Sequence, residues 1–137
     1  MGLDAPGTGA SGGLAAGAVA FLGAHLESGI EAVLRDYRFS EVAADADWIL
    51  TGEGRFDSTS LSGKVISGLL NAARGSQAKF AVFAGKVKLS KADYETSAIE
   101  TARSITPDGM TLQKALKQGP HLLRDTVDIW AREMLIH

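Results

Sequence analysis

The spacing of apolar residues changes period twice along this chain. From Leu14 to Leu26 apolar positions are almost continuous, and the run predicts a helix over residues 12–27. Glycines interrupt it and it is too short to cross a bilayer, so a buried helix is expected. Ser28 and Glu31 have the spacing of a capping box, in which each side chain accepts the other's backbone amide, and predict a fresh helix over 29–36. Ser40 is read as the cap of a third short turn that reaches Ala44.

The period then shortens. Residues 47–51 (DWILT) are rich in β-formers, and Gly52 is expected to end them. Residues 64–74 (KVISGLLNAAR) return to helical spacing, with Val65, Ile66, Leu69, Leu70 and Ala73 on one side. Residues 79–84 (KFAVFA) read as a second strand stopped by Gly85, and residues 90–94 as a helical turn. A third strand is expected over 99–105, diluted by Glu100, Thr101 and Arg103. From Thr111 onward Leu112, Leu116, Leu123, Val127, Trp130 and Met134 form one helical apolar stripe, which is assigned to core packing. Gly119-Pro120 interrupts it, so a kink or a restart with Pro120 in the first turn is expected.

Short apolar strands alternating with helices predict an α/β fold: a three-layer, Rossmann-like partial parallel sheet of about three strands, with helices on both faces. The first forty residues add no strand and read as a helical layer of their own.

Composition narrows the function classes. The 137 residues fit one compact domain or a piece of a larger one. With 45% hydrophobic and 22% charged residues, the balance is that of a soluble globular protein. No cysteine is present, which excludes disulfides, thiolate metal sites and thiol nucleophiles. A formal charge of −2 argues against a general nucleic-acid surface, though a small anion needs only local positive charge. No Lys or Arg precedes Arg35, so no secretory signal is expected, and a cytoplasmic location is. His25, His121 and His137 show no metal-ligand spacing.

The candidate chemistry is concentrated in residues 51–64 (TGEGRFDSTSLSGK), which follow the first strand where ligands bind in open parallel sheets. Gly52 and Gly54 let the backbone approach a ligand. Glu53 and Asp57 offer carboxylates for a metal ion or a proton, and Arg55 a planar fork for a carboxylate or phosphate. Ser58, Thr59, Ser60 and Ser62 offer hydroxyls, and Gly63-Lys64 opens a helix whose amino end favours negative charge. The plainer reading is a polar loop that caps the next helix. A P-loop is excluded, because Val65 follows Lys64 and Ser58 stands where its first glycine belongs. Gly7, Gly9 and Gly12 satisfy the dinucleotide fingerprint by spacing, but no strand precedes them. Together with Gly13 and Ser11 they form either an anion-binding turn or a plain entry segment. Lys86 and Lys88 follow the second strand and either serve an anionic substrate or are solvated.

The segments at 6–17 (PGTGASGGLAAG), 20–34, 44–64, 82–85 (VFAG) and 105–107 (ITP) followed by Thr111-Leu112 resemble, in order, the carboxyl-terminal portion of the bacterial glycerate kinase family. The T-G-E-G-R-x-D run with its trailing G-K is the most specific part. The resemblance implies transfer of the ATP γ-phosphoryl group to a hydroxyl of D-glycerate, with ATP and magnesium (Mg2+) as cofactors. It implies a two-domain α/β protein in which residues 46–137 belong to the Rossmann-like domain and residues 1–45 end the other. Matching motif positions are Glu53, Arg55, Asp57, Gly63, Lys64, Gly7, Gly9, Gly12 and Gly13. Asp57 or Glu53 would hold magnesium or accept the hydroxyl proton, and Arg55 or Lys64 would neutralise the transferred group or grip the carboxylate. Gly52, Gly54, Ser58 and Ser60 would line the phosphate site. Members are longer than this chain. The other reading is therefore a non-catalytic, truncated or split module that folds, associates with itself or with a complementary amino-terminal half, and binds at most an anion.

Overall fold

A computed structural model describes residues 9–62 and 64–135. The helices are α1 (Leu14–Leu22), α2 (Gly29–Asp36), α3 (Phe39–Ala44), α4 (Ser58–Leu61), α5 (Lys64–Ala72), α6 (Lys91–Tyr94) and α7 (Leu112–Leu135). Between them lie β1 (Trp48–Phe56), β2 (Lys79–Val87) and β3 (Ile99–Ser104), which form one parallel sheet in the order β1-β2-β3. The fold is α/β, as the change of period implied.

Strand alternation sends apolar residues to both faces, so both must be covered. Ile49 pairs with Phe80 and Thr51 with Val82, and on that side Ile49, Phe80, Val82 and Ala84 pack with Ile66 of α5 and Tyr94 of α6. On the other side Ala81 and Phe83 pack against Trp130 of α7. Trp130 is 1% exposed and stands edge-on to Trp48 at 5.1 Å and Phe83 at 5.6 Å between centroids. An Arg103–Glu133 ion pair adds a tie between β3 and α7.

Several elements depart from the sequence pattern. The strands do not stop at Gly52 and Gly85; β1 continues to Phe56 and β2 to Val87, with Arg55 paired to Lys86 and Phe56 to Val87. Glycine is what allows the two strands to run so close. A Cβ on Gly85 would meet the Gly54 carbonyl oxygen at 2.5 Å, well inside contact distance. Alternation also changes phase there. Phe56, fully buried, joins the same core as Ile49 and Val82, although its parity should send it to the α7 side. Register is kept across the change, so both strands turn over together. Gly85→Ala should therefore force the pair apart and cost about 1–3 kcal/mol, the usual range for overpacking. A lowered urea midpoint at unchanged m-value reads it, and a midpoint equal to the parent's removes this account.

The helix expected over 12–27 is a 3-10 turn, Ala10–Gly13, followed by α1. Gly12, Gly13 and Gly23 all have positive φ, which delays its start and ends it early. It is not buried. No α1 residue is buried, and Phe21 is 88% exposed, because no described residue packs over its apolar surface. Helix α2 occupies 29–36 as expected, but Ser28 makes no side-chain cap. Its anchor is tertiary instead, with Ile30 so close to Gly68 of α5 that a Cβ there would lie 2.8 Å from Ile30 Cγ1. Ser40 is not a cap either; α3 starts at Phe39 behind Arg38, a non-glycine residue with φ 51°. Ala43 is buried in the sheet's core, so α2 and α3 join that layer while α1 does not.

Helix α7 neither stops nor restarts at Gly119-Pro120. Proline there removes the bond to the carbonyl of Leu116, a residue that is 72% exposed. The apolar stripe divides. Trp130 and Val127 pack on the sheet, whereas Leu112 and Leu116 are exposed, and Leu123 and Met134 partly so. The core assignment holds for Val127 and Trp130, whereas Leu112 and Leu116 lie beside the carboxyl ends of the strands.

Candidate active site

A cavity of about 540 Å³ opens at the carboxyl ends of the three strands. From β1 it takes Glu53, Gly54 and Arg55, and from β2 Gly85 and Lys86. The segment after β3 contributes Ile105, Thr106, Pro107, Gly109 and Met110, and α7 contributes Leu112, Ala115 and Leu116. This is where an open parallel sheet offers a ligand site. A second cavity of about 440 Å³, between α2, α3 and α5, contains Arg35 and Arg38 already paired with Glu27 and Glu41.

Beyond Gly54 the chain is held by its own side chains. Ser60, buried in α4, donates to Glu53 Oε2 at 2.7 Å and accepts from the Asp57 amide at 3.2 Å. Asp57 caps α4: Oδ1 accepts from the Thr59 amide at 3.1 Å and the Thr59 hydroxyl at 2.6 Å. Oδ2 pairs with Arg55 Nε at 2.6 Å. The Thr59 hydroxyl first, then the Thr59 amide and Arg55, hold the Asp57 carboxyl below its ordinary 3.8 against the opposing effect of desolvation. Asp57 is therefore anionic at neutral pH. A depressed folded-state value contributes stability that is present above pH 3.8 and lost as pH falls through the lower, folded-state value. The parent's stability advantage over Asp57→Asn should accordingly be constant near neutrality and shrink in acid. Thermal midpoints of both proteins across the acid range check this, and parallel curves exclude it.

The expected site residues thus separate. Glu53, Gly54 and Arg55 line the cavity and Lys86 joins them, whereas Lys88 does not. Gly52 lies in β1 against the Phe83 carbonyl. Asp57, Ser58, Thr59, Ser60 and Ser62 lie outside the lining and build the turn that aims Arg55 and Glu53. Gly9, Gly12 and Gly13 are not brought to the cavity. Gly7, Gly63 and the Lys64 side chain lie outside the described residues. Thr106, inside the 105–107 segment of the resemblance but not read as a site residue, lines the cavity, as does Met110 without any signal in the sequence pattern; Leu112 and Leu116 line it although their spacing assigned them to packing. The rule that places a ligand after the first strand applies equally after the third, and could have found them.

Residues 2–135 match the model of the glycerate kinase family. The chain belongs to that family. A glycerate kinase from Halalkalibacterium halodurans is 40% identical over 118 residues, covering 86% of this chain and 31% of the relative. The glycerate 2-kinase of Escherichia coli K12 is 49% identical over 71 residues, 52% of this chain and 19% of that protein. A crystal structure assigned as glycerate kinase 2 of Salmonella typhimurium LT2 superposes with a TM-score of 0.68 at 34% identity, covering 93% of this chain and 32% of the other. This glycerate kinase family member thus spans about a third of the length of the relatives it matches. Among the described residues no helix is long and apolar enough to cross a membrane.

Magnesium is the metal the family resemblance implies. Among the described residues no three acidic or histidine side chains converge, but magnesium bound with a nucleotide needs only one or two carboxylates besides phosphate oxygens. Glu53 fits that requirement, since Ser60 engages one of its oxygens. Asp57 does not in this arrangement, because both its oxygens are engaged by Thr59 and Arg55.

Proposed function

We propose that this chain forms the carboxyl-terminal part of an ATP-dependent glycerate kinase, with the cavity at the strand ends as its share of the active site. The observation that carries the reading is the convergence of Glu53, Arg55 and Lys86 on one cavity in a member of that family. Phosphoryl transfer depends mainly on positioning and charge, which these three groups supply. The glycerate hydroxyl oxygen attacks the γ-phosphorus and forms the new P–O bond. The bond from the γ-phosphorus to the bridging oxygen breaks, and ADP leaves with its electron pair. Glu53 takes the hydroxyl proton, and Arg55 and Lys86 offset charge on the transferred group. Magnesium, when bound, neutralises charge on the phosphates, and Glu53 is the residue that would hold it if it is not the base.

Asp57 is a positioning residue for Arg55. Asp57→Asn keeps a good helix cap but loses the ion pair, so turnover should fall about tenfold or more while the loss of stability at neutral pH stays small. Turnover at the parent's level would remove Asp57 from the mechanism. The relative named for 2-phosphorylation supports the 2-hydroxyl as acceptor. Phosphorus NMR separates the products: a 2-phosphate couples to one proton and gives a doublet, a 3-phosphate to a methylene pair.

The domain division is also part of this proposal. Phe39 and Ala43 pack in the core of the sheet and Ile30 packs on Gly68 of α5, which favours a boundary between α1 and α2 over one at 45/46. The exposed apolar surface of α1 and the short span of the chain favour a need for further protein. D-glycerate-dependent ATP consumption decides, measured on this chain alone and mixed with the amino-terminal portion of a full-length relative. Turnover in either supports the kinase. None in both, with the chain folded, leaves the non-catalytic module.

A further inference from the structure

The cavity is chemically two-ended, and the second end is larger than glycerate can use. At the β1 and β2 ends it presents Arg55, Lys86 and Glu53. Beyond β3 it presents Met110, Leu112 and Leu116, with Pro107 and Gly109 beside them. Glycerate is a three-carbon hydroxy acid with no apolar face to bury, so nothing in it explains a wall of large aliphatic side chains. Leu112 and Leu116 are 74% and 72% exposed, beside the carboxyl ends of the strands, and their exposure costs hydration that an apolar occupant would relieve.

Resting on the kinase reading above, we propose that this wall, Met110, Leu112 and Leu116, is the seat of the nucleotide's base, with Lys86 and Arg55 gripping the polyphosphate. Three features favour a nucleobase over a protein partner. The wall belongs to a concavity of about 540 Å³, within the size range of small-molecule sites. It is continuous with cationic groups in the same cavity, which matches a flat apolar ring joined to a polyanion. Gly109, with φ 78° and no atom within 4 Å of where a Cβ would stand, leaves the rim open where a planar ring would enter. The wall's contribution is apolar contact and the cationic end's is charge, so the two ends are separable by experiment.

Titration calorimetry on this chain with ATP and with inorganic tripolyphosphate separates them. Leu112→Gln/Leu116→Gln changes two exposed, helix-compatible positions, so the fold should persist, which circular dichroism checks. The double variant should bind ATP roughly tenfold more weakly, while tripolyphosphate binding stays within about twofold. Lys86→Met should weaken both ligands alike. Equal loss of ATP and tripolyphosphate in the double variant, or no loss of either, overturns the base seat while leaving the phosphate end standing. A parent chain that binds ATP no better than tripolyphosphate overturns it in the same way. If the parent binds neither, the kinase reading of this cavity falls with it. If the double variant keeps ATP binding but no longer binds the amino-terminal portion of a full-length relative, the wall is a protein contact and the inference is wrong.

Discussion

Glu53→Gln is expected to lower kcat for D-glycerate phosphorylation by about 10²- to 10⁴-fold, the usual worth of a positioned general base, with KM little changed. The substitution is close to isosteric. Its amide oxygen can still accept from Ser60, so the contact that orients the side chain at 2.7 Å survives. What disappears is the ability to take the hydroxyl proton and the negative charge. Ser60→Ala separates orientation from chemistry, because it keeps the carboxylate but removes its tether, and should cost much less. The assay is the one described above, in whichever preparation turns over. A Glu53→Gln enzyme within about threefold of the parent would assign the proton to another group. A matched rise in KM for ATP would instead place Glu53 with the nucleotide.

Trp130→Ala carries the largest expected loss of stability, about 3–5 kcal/mol. Trp130 is 1% exposed, is the largest buried side chain of the α7-face core, and stands edge-on to both Trp48 and Phe83. Its indole Nε1 has no hydrogen-bond partner among the described residues. Trp130→Phe removes that unpaired donor while keeping a ring, so it should lose distinctly less than alanine. Urea unfolding of the three proteins tests both statements. A loss below about 1 kcal/mol for Trp130→Ala would mean that α7 is held by other contacts. Because α7 also carries Leu112 and Leu116, Trp130→Ala should weaken ATP binding before it unfolds the sheet. The Arg103–Glu133 pair is too exposed to replace Trp130 as the anchor.

The class of the fold was legible because burial on both faces of a parallel strand leaves a direct mark on composition. Residues 80–84 are apolar throughout, and they form the centre of the middle strand. The position of helix α2 was legible too, although a different contact secures it: Ile30 against Gly68, and not Ser28, sets it in place. Local spacing finds where a helix can start but not which neighbour makes it start there.

The candidate site was half legible. Glu53 and Arg55 stand in a polar, glycine-rich segment after a strand, which is a local signal, and both line the cavity. Asp57 carried the same signal, yet it caps α4 and pairs with Arg55. A carboxylate's chemistry can be read from its type, but whether it faces a ligand or its own backbone depends on the turn. The exposed positions of Leu112 and Leu116 could not be read at all. Their spacing belongs to the same stripe as Val127 and Trp130, and helical periodicity is blind to where the underlying sheet ends.

Sequence thus carried the alternation of strand and helix, the glycines at 54 and 85, and the charged residues beside them, because each is a local consequence of side-chain type. The phase change at the Gly54–Gly85 contact, the gathering of three strand ends around one cavity and the place of Leu112 and Leu116 beside them came only with the fold. They depend on which residues meet across the sheet: an oxygen 2.5 Å from an absent Cβ at Gly85 has no signature until β1 and β2 lie side by side.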